Sequence, residues 1–108
     1  MILATTNRIE GKRIVKALGL VRGNAIRARH IGRDIVAALR NIVGGEIPEY
    51  AQLLAQSREE SVQRMTRQAE DMGANAIVAV RFITASVMQG AAEMLTYGTA
   101  VVVEDEQP

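Results

Sequence analysis

Two long apolar runs near the C-terminus constrain the fold more than any other feature of this 108-residue chain. Residues 76–86 and 93–103 are rich in β-branched and apolar side chains. The dipeptide Gln89-Gly90 between them is typical of a tight turn, so the pattern predicts a β-hairpin. Each run is long enough to form a central element of a sheet.

Both faces of this hairpin are apolar. A two-residue loop predicts these pairs on one face: Phe82 with Tyr97, Val80 with Thr99, and Val78 with Val101. The other face carries Ile77, Ala79, Ile83, Met94, Gly98, Ala100 and Val102. Because a sheet that is wet on one side alternates apolar and polar residues, we expect helices to cover one face and a second subunit to cover the other.

Two further stretches have strand character. Residues 2–5 predict a short N-terminal strand, and residues 14–27 predict a long one. Gly19 and Gly23-Asn24 suggest bends or bulges within the long strand. Its charged side chains suit a sheet edge, whereas the last strand looks like a central one.

Two helices are expected between these strands. The period of apolar residues over 31–42 predicts the first, which Gly44-Gly45 ends. The second runs from about 48 to 72, with Pro48 at its first turn and Gly73 after it. Its predicted core stripe is Tyr50, Leu53, Leu54, Val62, Met65, Ala69 and Met72.

The fold class that follows is α+β in one domain, residues 1–108. We expect a two-layer arrangement in which an antiparallel sheet of three main strands, plus the short N-terminal strand, packs against two helices. The N-terminus has no signal-peptide pattern, and no apolar run approaches the ~20 residues that span a bilayer, so we expect a cytoplasmic protein without membrane contact.

Charge is segregated along the chain, although the net charge is only +1. Residues 1–43 carry nine Lys and Arg against two acids, whereas residues 44–108 carry four Arg against ten acids. Complementary pairing within or between chains is one explanation, and an anion-binding surface on the basic half is the other.

The basic half contains one candidate site, formed by Arg27, Arg29, His30 and Arg33 at the start of the 31–42 helix. Free backbone amides there favour anions, while intersubunit salt bridges or a solvated surface are the plainer interpretations. We do not expect nucleic-acid binding, because interleaved aromatic residues and binding motifs are missing from the sequence.

Catalytic and metal chemistry find little support. There is no cysteine and His30 is the only histidine, so one chain cannot supply a soft-metal site, and we expect no cofactor. No nucleophile lies in a recognisable motif with a base, so the sequence predicts no enzymatic activity.

Several segments in order resemble the YbjQ family of small bacterial and archaeal proteins. They are Thr5-Thr6, Gly11, Ile14, Arg33-Asp34-Ile35, residues 40–45, Tyr50, Leu53, residues 72–78 and residues 97–101. The family has no known function and is labelled heavy-metal-binding. The resemblance implies a dodecin-like α+β subunit assembled into a homopentamer.

This chain departs from the metal label, since it has no cysteine and a single histidine, so one chain cannot supply a soft-metal site. Five copies of His30 or of a carboxylate could still converge on a ring axis. Our leading hypothesis is a homo-oligomeric binding protein with an anion or a metal between subunits. The alternative is a structural or protein-interaction module without a small-molecule ligand.

Overall fold

The computed structural model describes residues 1–27, 48–88 and 91–107. In chain order these form β1 (Ile2–Leu3), β2 (Lys12–Arg27), α1 (Pro48–Asp71), β3 (Ala76–Met88) and β4 (Ala91–Asp105). The α+β class and the long second helix are confirmed. The helix predicted at 31–42 lies outside the described residues, so the described part of the chain holds one helix.

The four strands form one sheet in the order β1-β3-β4-β2. Strand β4 pairs antiparallel with both β2 and β3. As predicted, β4 is internal and β2 is an edge strand. Strand β1, however, runs parallel to β3. The sheet is therefore mixed and not purely antiparallel.

The predicted register of the hairpin is wrong, although its two-residue turn is right. Met88 pairs with Ala91 as such a turn requires, but Phe82 pairs with Thr96, and Arg81 pairs with Tyr97. Two bulges cause the difference. One extra residue lies between Ser86 and Met88 and another between Val78 and Arg81, so β3 slips by one position at each. Consequently Val78, not Val80, pairs with Thr99 and Ala76, not Val78, with Val101.

Strand β2 also carries two bulges, while β4 stays regular against it. The irregularities lie between Ile14 and Lys16 and between Ala17 and Gly19. Gly19 has a φ of 129°, a conformation that side chains with a Cβ rarely adopt. The bend predicted at Gly19 is confirmed, whereas Gly23 and Asn24 remain in register with β4.

Helix α1 packs its buried stripe across β2 and β4. The buried helix residues are Ser57, Ser61, Met65 and Ala69. Met65 and Ala69 were predicted, but Met72 is 40% exposed and Val62 is half-buried. Tyr50 and Leu53 lie outside the described side chains. The core cluster that results is Val21, Met65, Ala69, Ile77, Val80 and Ala100.

The small side chain of Ser61 in this stripe lies directly against the sheet. The hydroxyl of Ser61 lies 2.6 Å from that of Thr96 on β4, and it also donates to the carbonyl of Arg58 at 2.8 Å. Beneath Ser61 lies Gly23, where an added Cβ would come within 2.1 Å of the Ser61 carbonyl oxygen. The glycine therefore permits contact between the backbones of β2 and α1. The described residues include no helix of the length and apolarity needed to cross a bilayer.

Polar side chains of α1 also reach the backbone of edge strand β2. The Arg22 amide donates to Oε1 of Gln68 at 2.8 Å, and the guanidinium of Arg64 donates to the carbonyl of Asn24. These bonds occupy outward-facing backbone groups of an edge strand, which otherwise invite pairing with another chain.

The other face of the sheet has its own small cluster near the N-terminal segment. Ala76, Val78, Val101 and Val103 are buried there, and Ile9 packs against them. The N-terminal segment is fastened to β3, because the amide of Ala79 donates to Thr6 O at 2.8 Å. This part of the second face is therefore covered by the chain itself.

Ion pairs join the outer ends of β2 and β4. Lys12 pairs with Asp105, and Arg13 pairs with Glu104 at 3.3 Å. The hydrogen bond and charge of Lys12 hold the pKa of the Asp105 carboxyl below its usual value. Both pairs connect the basic half of the chain to the acidic half, so part of the segregated charge is neutralised within one subunit.

We expect Gly23→Ala to destabilise the fold severely. The new methyl group must displace α1 from β2, and overpacking of a close backbone contact costs about 3 kcal/mol or more in free energy of unfolding. Urea denaturation measures the change. Asn24→Ala, an exposed neighbour on the same strand, is the control and should stay within about 0.5 kcal/mol of wild type. Equal stability of Gly23→Ala and wild type would contradict the contact.

We expect Asp105→Asn to lower the melting temperature at neutral pH but not in strong acid. Because the pKa of Asp105 is depressed in the folded state, its stabilisation is complete above the unfolded value of about 3.9 and is lost as pH falls through the folded value. Melting curves between pH 2 and pH 7 measure this. Glu106→Gln removes one charge without breaking either ion pair, and should show a smaller difference at pH 7.

Candidate binding face of the sheet

On the sheet face opposite α1, part of the surface formed by the described residues is exposed beyond the Ile9 cluster, and we call this region the open face. Its residues are Leu20, Arg22, Asn24, Ile26, Arg81, Ile83, Ala85, Glu93, Leu95, Tyr97 and Thr99. Their side chains share one face because residues paired across antiparallel strands lie on the same side of the sheet. Their chain neighbours Val21, Gly23, Thr96 and Gly98 are buried on the helix side.

Large apolar side chains on the open face contact solvent. Leu20 is 67% exposed, Ile26 is 54% exposed and Ile83 is 45% exposed. Leu95 and Tyr97 between them are half-buried. Single exposed apolar residues are common, but neighbouring ones on three adjacent strands form a patch of the kind that binds a partner or a ligand.

Two arginines flank Tyr97 in one row across this face. Tyr97 on β4 pairs with Arg22 on β2 and with Arg81 on β3. Both arginines are exposed. Their Cα atoms are two strand spacings apart, about 10 Å.

The guanidinium of Arg81 is held in place by backbone carbonyls. Its Nη1 donates to Thr5 O at 2.7 Å and to Val80 O at 2.9 Å. Thr5 belongs to the N-terminal segment on the outer edge of β3, so the Arg81 guanidinium is held on the side of β3 away from β4. No ion pair involves the Arg22 side chain among the described residues.

The described residues include one member of the predicted cluster of Arg27, Arg29, His30 and Arg33. Arg27 ends β2, where its backbone pairs with Ala92. The other three residues lie outside the described residues. The anion-binding or intersubunit role of this cluster remains a prediction.

Sequence reasoning missed the row formed by Arg22, Tyr97 and Arg81. It read Arg22 as an edge charge and placed Phe82 opposite Tyr97. The bulge between Ser86 and Met88 brings Arg81 there instead. Residues 86–88 contain no glycine or proline that would indicate a bulge, so the sequence pattern did not reveal the row.

Potential metal ligands are scattered over the described part of the chain. No group of three or more His, Asp or Glu side chains comes together there. A shallow, open depression beside α1 is lined by Ala55, Gln56, Glu59 and Glu60. Its two carboxylates fall short of the six or more oxygen ligands that calcium takes.

Comparison with known proteins gives consistent matches over nearly the whole chain. A family model described as "Putative heavy-metal-binding" matches residues 1–104. A UPF0145 protein of Dehalococcoides mccartyi is 58% identical over 104 residues, covering 96% of this chain and 100% of the relative. A UPF0145 protein of Thermococcus kodakarensis is 52% identical over 107 residues, covering 99% and 95%.

The fold also matches a solved structure. The crystal structure of a protein of unknown function from Pediococcus pentosaceus, assigned to the DUF74 family, superposes with a TM-score of 0.65 at 15% identity, covering 96% of this chain and 98% of that one. At this identity the match speaks for the fold alone. The model match and the close relatives together show that this chain belongs to the YbjQ family, whose members carry the designation UPF0145.

Proposed function

We propose that this chain is the subunit of a homo-oligomeric binding protein whose ligand lies between subunits. The exposed apolar residues of the open face carry the proposal. Burial of apolar surface stabilises association by roughly 25 cal/mol per Å². Leu20 is 67% exposed, so its burial by a neighbouring subunit would contribute more to association than burial of Ile26 or Ile83.

The shape of the subunit supports the same proposal. Its radius of gyration is 17.5 Å and its extents are 59 × 25 × 15 Å. A compact domain of about 100 residues has a radius near 13 Å. An elongated sheet of this kind leaves much of its surface beyond the reach of α1, and a neighbouring copy covers part of the open face.

The two sheet edges differ, which favours a ring over a simple two-fold dimer. Edge strand β2 is protected by bulges and by Gln68 and Arg64 of α1. The outer edge of β3 pairs with β1 at Ala76 and Ile77, and among the described residues its stretch 81–88 has no strand beside it. Unlike surfaces on the two sides of a subunit suit head-to-tail contacts, which close into cyclic assemblies.

A pentamer is the assembly that family resemblance suggests, and it is the state we propose. The YbjQ description adds heavy metals to the ligands worth testing, alongside small anions. A metal would be coordinated by His30 or by carboxylates from several copies around an axis. An anion would be bound by the arginines of the basic half.

We expect light scattering to give a mass of about five times 11.7 kDa. Leu20→Asp should reduce this mass towards one subunit, because a charge buried at an interface is strongly unfavourable. Circular dichroism should stay unchanged, since Leu20 is exposed within the subunit. Gln56→Asp adds the same charge on the exposed side of α1 and serves as the control. A wild-type mass near 11.7 kDa at micromolar concentration would rule out the assembly.

We expect soft metals to bind weakly. Thiolates are missing from the sequence and each chain has one histidine, so a tetrahedral zinc site is incomplete in one subunit. Calorimetry on tag-free protein should give a Kd for zinc weaker than about 1 μM. Tighter stoichiometric binding would contradict this, and His30→Ala would then show whether a ring of histidines holds the metal.

A further inference from the structure

We propose that the outer edge of β3 at residues 82–86 pairs antiparallel with the same edge of a second copy of this chain. One sheet then continues from a subunit of one assembly into a subunit of another. The inference goes beyond the proposed function, because it concerns the edge of the sheet and not the open face. It starts from the backbone of β3, which has β4 on one side and, over 82–86, no described strand on the other.

The N-terminal segment covers the outer edge of β3 only as far as Arg81. The amide of Ala79 donates to Thr6 O at 2.8 Å, and Nη1 of Arg81 donates to Thr5 O at 2.7 Å. From residue 82 to residue 86 the strand is in regular register with β4. This stretch is an edge roughly 17 Å long, and we call it the free edge.

The free edge lacks the features that keep edge strands apart. Edge strands are commonly protected by charged side chains, prolines or bulges. The sequence of residues 82–86, FITAS, has no charged residue and no proline, and the bulges of β3 lie on either side of it. A regular, uncharged edge of this kind accepts another strand.

The strand that fits this edge is β3 of a second copy. Backbone donors and acceptors of a strand are satisfied by another strand, and the described strands offer few candidates. Strand β4 is internal, and β1 is two residues long and already paired. The edge of β2 carries two bulges and accepts bonds from Gln68 and Arg64. Because residues 82–86 are uncharged, pairing with themselves places no like charges opposite each other.

Side chains on both faces of the free edge leave room for a second strand. Phe82 pairs with buried Thr96 and so lies on the helix side, yet it is 46% exposed. Ile83 on the opposite face is 45% exposed. Five residues a side are far fewer than the roughly 20 to 30 of a stable interface, so the contact is weak and forms in concentrated protein.

A cysteine scan tests the geometry, because the chain has no cysteine of its own. A two-fold axis between antiparallel strands passes between a residue and its own copy, with Cα atoms about 5.5 Å apart or less, which permits a disulfide. Head-to-tail contacts in a ring bring unlike positions together instead.

We expect one of Ile83→Cys, Thr84→Cys and Ala85→Cys to form disulfide-linked pairs of chains about tenfold faster than the other two. The measurement is a non-reducing gel of concentrated protein under a mild oxidant. Gln63→Cys places the thiol on the exposed side of α1 and is the control. Equal rates in all four variants overturn the proposal.

A charge on the free edge tests the same contact by mass. Thr84 pairs with buried Met94 and lies on the helix side, so Thr84→Lys leaves the open face unchanged while opposing two lysines across the axis. We expect the wild-type mass from light scattering at least to double from micromolar to millimolar concentration, and that of Thr84→Lys to stay constant. Gln63→Lys adds the same charge on α1 and should behave as wild type. Circular dichroism checks that both variants fold.

The concentration series separates this proposal from the ring. A mass near 11.7 kDa in dilute protein that doubles on concentration overturns the ring and supports pairing of the free edge. A mass of about five subunits that stays constant supports the ring and overturns the pairing. Equal doubling in Thr84→Lys and Gln63→Lys also overturns the pairing, because the association then lies elsewhere on the surface.

Discussion

The contact between the backbones of α1 and β2 determines the arrangement of the subunit. An added Cβ at Gly23 would come within 2.5 Å of the Met65 amide nitrogen as well as 2.1 Å of the Ser61 carbonyl oxygen, so only glycine admits the helix there. With the helix fixed over β2 and β4, its side chains Gln68 and Arg64 reach the β2 edge. The same placement leaves the opposite face without a helix among the described residues.

Much of this architecture is readable from sequence, since it rests on strong local signals. The helix 48–71, the hairpin and the bend at Gly19 follow from apolar period, turn residues and glycine. The internal position of β4 follows from its few charges, since Glu93 is its one charged residue before Glu104. These features need no knowledge of distant contacts.

The register and the buried helix stripe could not be read in the same way. The bulge at Ala79-Val80 interrupts an apolar run without glycine or proline, and tertiary contacts such as Ala79 to Thr6 hold it. Ser57 and Ser61 are buried although polar, because only small side chains fit where α1 lies close to the sheet. Both outcomes depend on packing between segments far apart in sequence.

The other bulge of β3, between Ser86 and Met88, determines which side chains lie on the open face. Without it Phe82 would pair with Tyr97. With it Arg81 pairs with Tyr97 on one side, and Arg22 pairs with Tyr97 on the other. Both residues that pair with Tyr97 carry positive charge, and positive charge disfavours a metal ion nearby. The described part of the open face is therefore a poor place for the ligand named in the family description, because the cations there oppose it and no group of three potential ligands comes together among the described residues.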